Sequence, residues 1–262
     1  MKYILLMLIF IFQFTLFAQD NLTAYEIVDR AQGAIKVKGV QGLSVMQIID
    51  QKGRKRVRKI KQVTKLFDNG DTEKRLLRFV APADVKGIGL LTFDYKDKDD
   101  DLWIYMPALR KTRRIVSTEK AKNFMGSEFT YSDMTPPSLN DFNFKHLGQE
   151  EVNGVLCYKI EWIPVDEDIA EENGFSRRIT FIGKQDFVIR KSIYYDLDGE
   201  LLKELVVYKI KELDTKDHKF RAMHLEMTNH QNGRKSVLIN EELEFSPSVQ
   251  NDYFTTRYLE RE

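Results

Sequence analysis

Three histidines, His218, His224 and His230, recur six residues apart, so an unbroken strand would carry them on one face, as a zinc site would require. No Cys and no HExxH pattern joins them, and ligand spacings within one element are normally shorter. Asp97, Asp99 and Asp101 imitate the opening of a calcium loop. Leu102 stands where the sharp-turn glycine belongs and Ala108 where the bidentate glutamate belongs, which excludes an EF-hand. Gly87-Ile88-Gly89 is a fragment of a dinucleotide fingerprint inside a strand pattern, and a bulge accounts for it better. Neither a phosphate-binding P-loop nor a nucleophile with its base is legible. The sequence therefore predicts no catalytic residue, no metal and no cofactor, and reads as a binding protein instead of an enzyme.

The remaining chemistry is ionic and aromatic. The run Arg54 to Lys61, RKRVRKIK, is the strongest charge cluster. It reads either as an exposed edge strand whose charges guard against aggregation, or as a patch meeting anionic lipid head groups or an acidic partner. A smaller patch holds Arg110, Lys111, Arg113 and Arg114. On a strand Lys111 and Arg113 share one face and Arg114 takes the other, so one of the arginines could reach a lid carbonyl or a lipid phosphate. Between and beyond these lies DLWIYMPALRKTRRIVSTEKAKNFMGSEFTYSDM, Asp101 to Met134. Leu102, Ile104 and Met106 alternate with Trp103 and Tyr105, so neither face of that strand is wet. Pro107 ends the pairing, Lys111 to Ile115 returns as a hairpin strand, and Ser117 or Thr118 caps a short helix carrying Phe124 and Met125 and stopping at Gly126.

That stretch, with RFVAPADVKGIGLLTFDY (Arg78 to Tyr95) before it, resembles the outer-membrane lipoprotein-sorting protein family, relatives of the LolA-like periplasmic lipoprotein carrier. The resemblance rests on Pro82, Lys86 and Gly87, on Trp103, Tyr105 and Pro107, on Arg113 and Arg114, on Phe124 to Ser127, and on Tyr131 and Asp133. It implies an incomplete barrel with helices over its mouth and a hydrophobic cavity between them. The residues expected at that cavity or its lid are Leu91, Phe93, Trp103, Tyr105, Phe124, Met125 and Tyr131, with Arg113 and Arg114 as basic contacts.

The elements that must position these residues follow from periodicity. Thr23 and Glu26 form a capping-box pattern, and Ala24, Ile27, Val28, Ala31 and Ile35 recur at helical spacing, predicting a helix from Thr23 to Lys36. Thirteen alternating runs follow, from Gly42–Asp50 to Ser236–Phe245, with Asp198-Gly199 and Asn232-Gly233 as hairpin turns. Strands at short spacing without intervening long helices predict a mainly β, α+β fold: one strongly curved antiparallel sheet, with the N-terminal helix and short helices closing its concave face. Tyr131 to Asn140 reads as an irregular lid segment and Asp166 to Asn173 as a solvated acidic loop.

Lys2 and the apolar run Tyr3 to Phe17, ending at Ala18, read as a secretory signal, residues 1–18, leaving residues 19–262 as a single domain. Of the chain's 41 basic and 40 acidic residues that segment holds one lysine, so the rest is formally neutral, which argues against nucleic acid. The single cysteine, Cys157, lies in an alternating run and reads as a small buried hydrophobe. The expected protein is a periplasmic, monomeric carrier that takes up a lipid or lipoprotein acyl chains without covalent chemistry. The alternative is a periplasmic interaction subunit docking on a membrane exporter.

Overall fold

The computed structural model describes residues 22–261; the expected secretory segment over residues 1–18 lies outside them. Helix α1 (Ala24–Ile35) begins at Thr23, whose hydroxyl accepts from the Glu26 amide at 3.2 Å while the Glu26 carboxylate accepts from the Thr23 amide at 2.7 Å. Two orphan donors are satisfied reciprocally, and Ile27, Val28 and Ala31 are left to bury the inner face.

Six strands then run as a meander: β1 (Gly39–Ile49), β2 (Lys55–Phe67), β3 (Thr72–Ala81), β4 (Gly89–Tyr95), β5 (Asp101–Met106) and β6 (Lys111–Arg114). After a short helix α2 (Ser117–Lys120) and irregular chain come β7 (Phe142–Val152), β8 (Val155–Pro164), helix α3 (Glu167–Asn173), β9 (Arg177–Gly183), β10 (Ile189–Tyr195), β11 (Leu201–Asp214), β12 (Lys219–Asn229) and β13 (Lys235–Asn240). The two-residue β14 (Glu244–Phe245) and helix α4 (Thr256–Leu259) close the chain. The order across the sheet is β6-β5-β4-β3-β2-β1-β13-β12-β11-β10-β9-β8-β7, all antiparallel, with β14 pairing β1. Strands β6 and β7 do not pair, so the sheet is one open antiparallel surface of 14 strands, not a closed barrel.

Neighbouring strands twist against one another by roughly 20–25°, and over so many strands the sheet curls. Its inner face is identifiable from packing. One core cluster joins Leu102 and Ile104 of β5 to Tyr158 and Ile160 of β8, strands from opposite wings, and includes Ile27 and Val28 of α1. A second, with Leu76, Leu91 and Tyr105, spans only neighbouring strands of the first wing together with Val249, Phe254 and Leu259 of the C-terminal tail. The first cluster fills the concave side and the second lies on the convex side.

The chain crosses from β6 to β7 only once, and these are the two far edges of the sheet. Residues 115–141 therefore run over the concave face, and they form a plug. The expected single helix carrying Phe124 and Met125 does not exist. α2 stops at Lys120, and Met125 takes a left-handed φ of 51° inside a separate 3-10 turn, Phe124–Gly126. The Phe124 amide donates to the Phe129 carbonyl at 2.7 Å, and the Tyr131 amide to the Lys122 carbonyl at 3.1 Å, tying that part into a loop.

Three further expectations change. The basic run is not an edge strand: β2 lies between β1 and β3, and only its first residues, Lys55 to Arg58, extend past β3. Asp166–Asn173 is not a loop but the cap and whole length of helix α3. The Asp166 carboxylate accepts from the Ile169 amide at 2.9 Å, and Gly174 closes the helix at a left-handed φ of 73°. The final run, Ser236–Phe245, breaks after Asn240, where the Glu241 and Glu242 amides both turn to the Leu43 carbonyl, at 3.0 and 3.4 Å.

Candidate functional site

The plug sits where helices were expected to close the concave face. Phe124, Phe129, Tyr131 and Met134 project from it into the concave core, each no more than 9% exposed. Phe124 packs on Phe79 of β3 and meets Tyr131 edge-on, with ring centroids 5.8 and 5.6 Å apart.

Polar side chains of the sheet hold the plug's backbone. Arg58 of β2 donates to the Met125 carbonyl. Arg75 of β3 donates to the Met134 carbonyl at 2.9 Å, and Arg234, just before β13, to the Gly126 carbonyl at 2.7 Å. The Ser236 hydroxyl accepts from the Glu128 amide at 2.9 Å, and Gln32 of α1 donates to the Pro137 carbonyl at 2.7 Å. Two ion pairs reinforce these: Lys203 with Asp133 at 2.8 Å, and Arg234 with Glu128 at 3.0 Å. A guanidinium that ends on a carbonyl holds backbone without demanding a particular plug side chain.

The seven expected cavity residues fall into two sets on opposite faces. Register pairs Leu91 with Trp103, and Leu91, Phe93, Trp103 and Tyr105 all belong to the convex cluster under the C-terminal tail. Phe93 and Trp103 meet edge-on there, centroids 5.0 Å apart. Phe124, Met125 and Tyr131 belong to the concave cluster. The fold therefore builds no single pocket from all seven, because β4 and β5 alternate and the tail, through Phe254 and Leu259, occupies the face that carries Trp103. Of the basic contacts, Arg113 pairs with Glu119 of α2 at 2.5 Å and Arg114 with Asp101 of β5. Of the three arginines that do reach plug carbonyls, Arg234 lies just before β13, and Arg58 and Arg75 within the sheet were not singled out for this role in the sequence. Their signal was present: Arg58 precedes Ile60, and Arg75 precedes Leu77 and Phe79, by the two-residue step that marks a shared, inward face.

The concave interior is strongly charged toward one side. Burial would raise the Glu73 carboxyl, but Arg221 and Arg75 hold it below its ordinary value. Burial likewise opposes Asp133, while Lys203 and hydrogen bonds from Thr130 keep it low. Asp94, opposite Glu73 in the β3–β4 ladder, has no such partner. Burial first, then the neighbouring Asp100, push it up to about 7, and its Oδ2 has no hydrogen-bond donor among the described residues.

Two spaces adjoin this interior. An open cleft of about 690 Å³ beside α1 is lined by Tyr25, Arg30, Asp94, Asp186, Lys219 and others, a mixed polar surface. A smaller cavity of about 160 Å³ lies between the plug and strands β9 to β12, with Phe129, Arg178, Tyr194 and Met227 in its wall. Among the described residues no group of His, Cys, Asp or Glu side chains is placed to hold a metal ion, and no helix is long and apolar enough to cross a membrane.

A family model described as "Uncharacterized protein" matches residues 71–261, while no curated protein matches the chain. The structure is similar to an outer membrane lipoprotein-sorting protein domain from Vibrio parahaemolyticus, at TM-score 0.82 and 29% identity over 91% of this chain and 98% of that one. It is similar to a DUF1329 family protein from Desulfovibrio piger, at TM-score 0.82 and 25% identity over 90% and 97% of the two chains. A LolA superfamily protein from Nitrosomonas europaea shares the fold at TM-score 0.68 and 17% identity, over 90% of this chain and 99% of that one. The match of the family model over residues 71–261 means that the chain belongs to that family, and its open 14-stranded sheet has the fold of the outer membrane lipoprotein-sorting and LolA superfamily structures.

Proposed function

We propose that this protein is a periplasmic carrier that receives lipid or lipoprotein acyl chains on its concave face, with residues 1–18 as a cleaved secretory signal and the remainder as one domain. The observation that carries the reading is the plug: a segment bridging the two free edges of the sheet, apolar where it meets the concave core and held mainly by sheet side chains gripping its backbone. The similarity to the outer membrane lipoprotein-sorting protein domain from Vibrio parahaemolyticus supports the same class of role.

The cavity of about 160 Å³ falls below the roughly 300–1,000 Å³ of small-molecule pockets, so acyl chains enter only as the plug moves. Withdrawing Phe124, Phe129 and Met134 from the core costs about 5–9 kcal/mol at roughly 1.5–3 kcal/mol per side chain. Burying acyl carbon returns about 0.8 kcal/mol per methylene, so roughly 6–11 methylenes offset it. One lipid chain suffices, and the exchange is near balance, as a carrier that must also release requires.

A second reading, an interaction subunit docking on a membrane exporter, draws support from the filled interior and from the exposed side chains of Lys55, Arg56, Lys59 and Lys61. Mass spectrometry of an organic extract separates the two, using mature protein purified from a bacterial periplasm without detergent beside an Arg58→Gln variant with a loosened plug. Stoichiometric lipid in the wild type, altered in the variant, supports the carrier. Clean extracts from both overturn it in favour of the docking subunit.

A further inference from the structure

Strand β9 alternates so that Arg178, Thr180 and Ile182 face inward, 9%, 0% and 0% exposed. An arginine so deep is usually matched to a carboxylate, because an unpaired buried charge is costly. Arg178 is matched to rings instead. Its guanidinium carbon lies 3.7 Å from the Trp162 ring centroid and 5.6 Å from those of Phe175 and Tyr194.

Aromatic faces attract the flat faces of a guanidinium and leave its N–H edge free. Nε and Nη2, the two nitrogens that form the fork for a two-oxygen anion, have no acceptor among the described residues. The Trp162 indole Nε1, a third buried donor, has none either. Arg178 lines the cavity of about 160 Å³ already described. Asp133 lines the same cavity, but its carboxylate is already engaged: Oδ2 accepts from Lys203 Nζ, the Thr130 amide and the Thr130 hydroxyl, at 2.8, 2.8 and 2.9 Å. With Lys203 and Asp133 cancelling, the surplus charge there is the guanidinium. Ser132, Thr135 and Asn173 add neutral polar groups to the wall, and one side of it, Phe129, Leu205, Leu225 and Met227, is apolar.

A caged cation with an empty fork, facing a pocket with one apolar side, has the chemistry of an anchor for a charged head on a hydrocarbon chain. We propose that Arg178 binds the oxyanion head, carboxylate or phosphate, of a single-headed anionic amphiphile, whose chain runs along Phe129, Leu205, Leu225 and Met227 as the plug shifts. This rests on the concave face being the binding face and adds the charge of the cargo.

The test is isothermal titration of delipidated mature protein with decanoate, decyl phosphate, decanol, acetate and inorganic phosphate, repeated on Arg178→Gln and Arg178→Lys. The expected result is that a chain-bearing anion binds at least roughly tenfold more tightly than decanol, about the worth of one charge-assisted hydrogen bond. Arg178→Gln removes that preference and Arg178→Lys keeps part of it. Equal binding of decanoate, decyl phosphate and decanol by the wild type overturns the anchor. Acetate or phosphate binding as tightly as the chain-bearing anions overturns the amphiphile. A neutral diacylglycerol is titrated in parallel: if it binds while the anions show no preference, the anchor fails and the carrier stands, and if nothing binds, both fail. Should Arg178→Gln not fold, the ligand series on the wild type alone decides.

Discussion

Replacing Asp94 by Asn should stabilise the protein at neutral and alkaline pH and leave it nearly unchanged near pH 4. Asp94 is 8% exposed, lies across the ladder from Glu73, and has one oxygen without a donor. Burial and Asp100 raise its pKa from 3.8 to about 7. Because the folded value exceeds the unfolded one, the folded chain keeps a proton that the unfolded chain releases between pH 3.8 and 7. Wild-type stability therefore falls as pH rises through that window, and the penalty is complete above pH 7. At about 1.4 kcal/mol per pH unit, the upper bound is about 4 kcal/mol. Asparagine fills nearly the same volume and cannot ionise. Its advantage in urea denaturation should grow from about 0.6 kcal/mol at pH 4 to at most about 4 kcal/mol at pH 8, with about 2.6 kcal/mol of the rise between pH 5 and 8. Glu73 and Asp133, held below their ordinary values, lose their contribution only as pH falls below the carboxylate range, outside this comparison. Asp141, raised by burial, titrates in both proteins and cancels in the difference, while Asp100, whose charge helps to raise Asp94, is relieved of that repulsion in the variant and adds to the gain in the same direction of pH. A gain of equal size at pH 5 and pH 8, or none at pH 8, would refute the reasoning.

Two further outcomes follow from the division of the sheet into faces. Arg75→Gln, which removes the donor to the Met134 carbonyl, should cost about 1–3 kcal/mol and speed amide exchange across residues 115–141 before it affects β8 to β10. Uniform acceleration over the whole sheet would contradict a plug that opens by itself. Trp103→Glu should leave any bound lipid in place and instead release the C-terminal tail, seen as early proteolysis between β14 and α4; loss of lipid with an intact tail would return Trp103 to the binding face.

Most of the fold was legible because alternation is a local signal: each of the thirteen runs contains or becomes a strand, and the capping box of α1 holds atom by atom. The candidate site was legible only in pieces. Leu91, Phe93, Trp103 and Tyr105 could be grouped on one face from spacing alone. Whether that face is concave is decided by where residues 115–141 and the tail cross, which is a property of the whole topology. Both faces of β4 and β5 are largely buried and each carries apolar side chains, so hydrophobicity alone did not say which one is concave. Phe254 and Tyr258 pin the tail, and the face they cover is the one whose aromatics looked most like a ligand site. α3 escaped because its seven residues are too few for periodicity, although Asp166 and Gly174 are its cap and its stop.

An open sheet keeps two unpaired hydrogen-bonding ladders, one along β6 and one along β7, which a closed barrel would not have. Each is a template on which another copy could stack and begin a fibre. β6 offers only four residues, three of them basic, Lys111, Arg113 and Arg114. β7 is eleven residues long but is interrupted by a register shift between His146 and Gln149, with Gly148 at a φ of 100°, and it carries Lys145, Glu150 and Glu151. The gap through which a cargo would pass is thus also the place where the chain must resist polymerising with itself, and the charges and the kink along its rims serve that end.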